Sequence, residues 1–75
     1  MAVASLIVEV EEGFGGAVMR SLADIDNLSV YGIKENQIIA VIEGNDAVSM
    51  ENTMKLLYSI ENVFGVFPVF AGDYQ

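Results

Sequence analysis

The chain has 75 residues, 53% hydrophobic and 19% charged, and its eleven acidic side chains against three basic ones give a net charge of −8. A chain this short makes one domain over residues 1–75, and one this apolar folds instead of staying disordered; its acidity opposes phosphate backbones and anionic lipid, so nucleic acid is not an expected partner. With no cysteine and no histidine, it lacks disulfides, the usual zinc ligands and the usual base for a nucleophile, which points to a binding protein without metal, cofactor or catalytic residues.

The alternation from Val3 to Val10 predicts a first strand, with Leu6, Val8 and Val10 on one side and Ser5, Ile7 and Glu9 on the other. After Gly13-Phe14-Gly15-Gly16, the spacing of Phe14, Val18, Leu22 and Ile25 predicts a helix running to about Asp26. Leu28 to Lys34 reads as a second strand. Glu35-Asn36 reads as a hairpin loop that, lacking glycine, is expected to be a residue or two longer than the shortest type. Gln37 to Glu43 is apolar on both faces, as a central third strand is. A second helix follows, capped by Ser49 or Asp46, with Met50, Met54, Leu57 and Ile60 as its buried stripe. Val66 to Ala71 makes a fourth strand in which Pro68 requires an edge position or a bulge.

Strand, helix, strand, strand, helix, strand is the ferredoxin-like βαββαβ order of an α+β domain. Right-handed crossovers place both helices on one face of a four-stranded antiparallel sheet, with the first and third strands central and the other face uncovered. If Leu6, Val8, Val10, Ile38, Ala40 and Ile42 meet the helices, then Ile7, Glu9, Ile39, Val41 and Glu43 lie on the uncovered face. Tyr31 and Ile33 join them from the second strand, and Phe70 from the fourth if the bulge at Pro68 leaves its direction intact. An apolar patch bordered by carboxylates suits an amphipathic basic peptide, and self-association into a homodimer would bury the same patch.

Other features yield less. Gly13 to Gly16 at a strand-to-helix junction lacks the third glycine of a dinucleotide fingerprint, since position 18 is valine. Glu11 and Glu12 are neighbours in a loop and read as solvated, and Met50 and Met54 read as packing. The longest uncharged stretch, Asn62 to Gly72, falls short of the roughly 18 residues of a membrane helix. No basic region precedes the first strand as in a secretory signal, so a cytoplasmic location is expected.

Ala4-Ser5-Leu6-Ile7-Val8, Gln37-Ile38-Ile39-Ala40-Val41-Ile42-Glu43 and Ser59-Ile60-Glu61-Asn62-Val63-Phe64-Gly65-Val66 resemble the NapD family in order along nearly the whole chain. That family comprises small cytoplasmic chaperones of the periplasmic nitrate reductase. The resemblance implies a specific partner, the twin-arginine signal peptide of the catalytic subunit NapA, held so that export waits for insertion of the molybdenum cofactor. It implies no catalytic step: arginines would pair with Glu9 or Glu43 while the apolar segment covers Ile7, Ile39 and Val41. The sequence departs from the family in the turn before the second strand, which lacks Pro-Gly, in a longer loop at Gly44 to Val48, and in the tail Gly72-Asp73-Tyr74-Gln75. The alternative is an amino-acid-sensing module similar to ACT domains or Lrp/AsnC effector domains, whose ligand loops Gly13 to Gly16 and Gly72-Asp73-Tyr74 loosely resemble.

Overall fold

The computed structural model describes residues 2–73, so that Tyr74 and Gln75 of the tail lie outside the described residues. Its elements are β1 (Ala2–Val10), α1 (Gly15–Ala23), β2 (Leu28–Lys34), β3 (Gln37–Gly44), α2 (Ala47–Tyr58) and β4 (Val63–Asp73). The strands form one antiparallel sheet in the order β2-β3-β1-β4, the α+β ferredoxin-like arrangement. β1 and β3 are central, as their two-sided apolarity requires.

Alternation sets the core. Leu6, Val8 and Val10 of β1 and Ile38, Ala40 and Ile42 of β3 are buried against Val18 and Leu22 of α1 and Leu57 of α2. The β1–β3 register pairs Leu6 with Ala40 and Val8 with Ile38, so that the buried sets of both strands point the same way. Thr53 is the one polar side chain among these buried residues. Its hydroxyl donates to the Ser49 carbonyl at 3.1 Å and accepts from Asn27 Nδ2 at 2.8 Å, tying α2 to the loop before β2.

The ends of the elements differ in detail from the sequence expectation. α1 stops at Ala23 and not near Asp26, because its last turn tightens: Asp24 N–H donates to Ser21 O at 3.3 Å and Ile25 N–H to Leu22 O at 3.1 Å. Ile25 still packs on the core through this turn. The β2–β3 loop is two residues, Glu35 and Asn36, with Glu35 taking a left-handed φ of 57° in place of the missing glycine. β4 begins at Val63, three residues earlier than predicted, directly after Asn62, which closes the turn between α2 and β4 at φ 72°. Asparagine tolerates that conformation better than other residues with a Cβ.

Of the two candidate caps for α2, Asp46 is the one used, its Oδ1 accepting from Ser49 N–H at 2.8 Å. This bond lowers the Asp46 pKa below its ordinary 3.8 by favouring the charged form. The cap therefore stabilises the fold fully above that unfolded value, and its contribution is lost as pH falls through the lower folded one. Asp46→Ala should melt below the parent near neutral pH, and the gap between their melting temperatures should narrow below about pH 4. Leu57→Ala, by contrast, opens a cavity in the centre of the core and should cost about 2–5 kcal/mol in urea unfolding at any pH where the protein is folded.

Candidate functional site

Among the described residues, no element covers the face of the sheet opposite the helices. Register assigns its occupants, because directly paired residues on neighbouring strands point to the same side. On β1 and β3 these include Ser5 paired with Val41, Ile7 with Ile39, and Glu9 with Gln37, with Glu43 paired to Val3 at the opposite end. Ile39 and Glu43 are exposed, and Ile7, Glu9 and Val41 are half-buried by their neighbours. Gln37 Nε2 lies 3.4 Å from Glu9 Oε1. The two central strands thus place Ile7, Glu9, Ile39, Val41 and Glu43 where alternation predicts.

The edge strands carry register shifts that alternation cannot foresee. In β2, Val30 pairs with Ala40 and Gly32 with Ile39, leaving Tyr31 as the extra residue, 73% exposed. Beyond this bulge the parity reverses, and Ile33 pairs with the fully buried Ile38. Ile33 is therefore on the helix face, and the expectation that it joins the uncovered face is corrected. The α1 start confirms this placement, since a Cβ added at Gly15 would come within 2.5 Å of Ile33 Cδ1. Gly15 lets the helix approach the strand there.

In β4, Val66 and Pro68 pair with Val8 and Leu6 on the helix side, and strict alternation would put Phe70 with them. The extra residue is Val69, and the shift brings Phe70 opposite Ser5 on the open face. Phe70 thus lies where it is needed, but only because the bulge changes its direction. Two further phenylalanines, not singled out in the sequence, join it: Phe67 opposite Ile7, and Phe64 in the second shift of β4 beside Glu9. A Cβ on Gly65 would meet the Phe67 ring at 2.8 Å, and one on Gly72 the Phe70 ring at 3.1 Å, so both rings lie over glycines of their own strand. The only sequence signal was the run of aromatic residues spaced by glycine, Phe64-Gly65 through Phe70-Ala71-Gly72.

The outer edge of β4 is less accessible than its face. Val10 N–H donates to Asn36 O and Glu11 N–H to Asn62 O, both at 2.9 Å, so even positions of β1 bond toward β3 and odd ones toward β4. Val66, opposite Val8, accordingly turns its carbonyl outward, where the Tyr58 hydroxyl donates to it at 3.1 Å. Pro68 offers no N–H on that edge. On the helix side, a cleft of about 660 Å³ lies between the start of α2 and the β1–β4 end of the sheet, with Met50, Met54, Leu6, Ile42 and Pro68 in its wall. Among the described residues no three acidic side chains converge as a metal site.

A ferredoxin-like sheet with one face packed and the other bare and aromatic is the architecture of a small α+β domain with a surface suited to an apolar ligand. A protein-family model described as "NapD protein" matches residues 1–73, and the chain belongs to the NapD family, one of chaperones and not of enzymes. A solved structure, "Solution structure of the E. coli Tat proofreading chaperone protein NapD", is similar with a TM-score of 0.85 at 21% identity, covering 97% of this chain and 79% of that one. No curated protein matches the sequence.

The bare face should bind an apolar reporter dye in the native state. Replacing Phe64, Phe67 and Phe70 together by serine should cut the dye's emission several-fold while changing stability by no more than about 0.5 kcal/mol per exposed site.

Proposed function

We propose that this chaperone captures the signal peptide of a twin-arginine export substrate on its uncovered sheet face, and that the substrate is the nitrate reductase subunit NapA. The similar E. coli protein is described as a Tat proofreading chaperone, and the chemistry of the face suits such a ligand. A twin-arginine signal joins two cations to an apolar segment. The observation that carries the reading is the exposure on one bare face of Ile39, Phe64, Phe67, Val69 and Phe70, each between 47% and 71% open to solvent, with Glu9 and Glu43 near the ends. Burying the apolar segment against this patch contributes about 25 cal/mol for each Å² removed from water. The carboxylates add charge-assisted hydrogen bonds to the arginines and steer their approach.

The binding residues in this reading are Ile7, Glu9, Tyr31, Ile39, Val41, Glu43 and Phe70 from the sequence-based set, extended by Phe64, Phe67 and Val69. Capture takes place in the cytoplasm, before export, and holds the substrate back until its cofactor is in place. No helix among the described residues is long and apolar enough to cross a membrane. A second copy is the rival occupant of the face. Its charge of −8 would be brought against an equal one, whereas a cationic peptide relieves that repulsion.

Calorimetric titration with a synthetic twin-arginine signal peptide should give saturable heat, and titration with an amino-acid mixture should give none. Heat from amino acids alone would instead favour the sensing module. Ile39→Glu places a charge in the centre of the patch and should abolish peptide capture with the far-UV spectrum unchanged; retained affinity would move the site off the sheet. Sedimentation across a concentration series should show the peptide-free protein as a monomer.

A further inference from the structure

Glu9 and Glu43 are not equivalent. They mark opposite ends of the open face, since Glu43 pairs with Val3, and Glu9 lies six positions further along β1. At about 3.3 Å per residue the two carboxylates are about 20 Å apart along the strands. Two adjacent arginines on a chain lying over the face therefore serve one end or the other.

The surroundings of the two carboxylates differ. Glu9 is opposite Gly65, and the Phe67 ring lies on that glycine, 2.8 Å from where a Cβ would stand. The ring thus reaches back over Gly65 into the row that Glu9 occupies, with Phe67 still 51% exposed. Phe64, 71% exposed, occupies the register shift directly next to Glu9. Around Glu43 the neighbouring strand offers Val3, and the Phe70 ring, lying on Gly72, is on the strand beyond it. Lys34 sits in the same row as Glu9 but on β2, beyond Gln37, which disfavours a cation on that side and leaves the β1–β4 side open to one.

A guanidinium is planar and weakly hydrated, stacks on aromatic faces and donates in a fork that matches a carboxylate. An exposed ring in the row of a carboxylate offers both kinds of contact within one strand spacing. We propose that Glu9, Phe67 and Phe64 form a guanidinium subsite that sets the direction of the bound peptide, with its arginines at the β1 C-terminal end and its apolar segment running toward Val41 and Phe70. This rests on the reading that the sheet face captures a twin-arginine peptide and adds the polarity of capture.

A synthetic peptide carrying a nitroxide just ahead of its two arginines separates the outcomes. In amide spectra of the full chain the label should broaden Phe64, Gly65 and Phe67 most and Val41 and Phe70 least. The opposite gradient would overturn the polarity and leave capture by the face standing; no selective broadening of face residues would overturn both. A double-mutant cycle reads the same contact energetically. Glu9→Gln should weaken the twin-arginine peptide about tenfold and should have almost no effect on a peptide with glutamines in place of the arginines. Equal binding of the twin-arginine peptide by Glu9→Gln and the parent would overturn the subsite. Equal weakening of both peptides would also overturn it, by showing that Glu9 acts on the fold of the face and not on a guanidinium.

Discussion

Everything in this molecule depends on burying one side of a single sheet while leaving its other side without a cover. β1 and β3 alternate so that Leu6, Val8, Ile38 and Ile42 are sealed by the helices, with Ile7, Ile39 and Val41 behind them. Both crossovers in this topology land on the same side, so among the described residues no element covers the second face. An apolar outer face on a central pair of strands is costly in water unless it has a ligand. The stability of the core and the availability of the site therefore come from the same two strands.

The edge strands turn this flat arrangement into a site with character. All three register shifts fall on β2 or β4, and their extra residues are Tyr31, Val69 and Phe64, each at least 66% exposed. Bulges are tolerated at edges because only one neighbour has to accommodate the extra residue. They bring aromatic side chains to both margins of a centre made of smaller aliphatic ones. The glycines of β4 complete the arrangement, since Phe67 and Phe70 can lie down on Gly65 and Gly72 only where no Cβ stands.

Exposed strands and exposed phenylalanines invite aggregation, and the molecule limits this without covering the face. Tyr58 occupies the outward carbonyl of Val66, and Pro68 removes a donor from the same edge, so the longest strand is a poor template for another strand. The excess of carboxylates opposes the approach of a second copy and favours that of a cationic chain. In the proposed reading, charge favours a basic amphipathic peptide over a second copy and the aromatic surface supplies adhesion.

Sequence alone determined the order of the elements and the central position of β1 and β3, whose apolar residues lie on both faces; which way their alternation faces entered as a condition, and the tertiary structure decides it by burying Leu6, Val8, Ile38 and Ile42. That alternation placed Ile7, Glu9, Ile39, Val41 and Glu43 correctly, and the resemblance carried by the same strands pointed to the NapD family. Ile33, Phe64 and Phe67 could not be placed in this way. Their direction depends on where an edge strand gains a residue relative to its partner, and the partner is decided by long-range pairing, not by local pattern. Ile33 went to the helix side and Phe70 to the open one for this single reason. Only the tertiary structure could also show that the Phe67 ring reaches over Gly65 into the row of Glu9, since the two strands that carry them come from opposite ends of the chain.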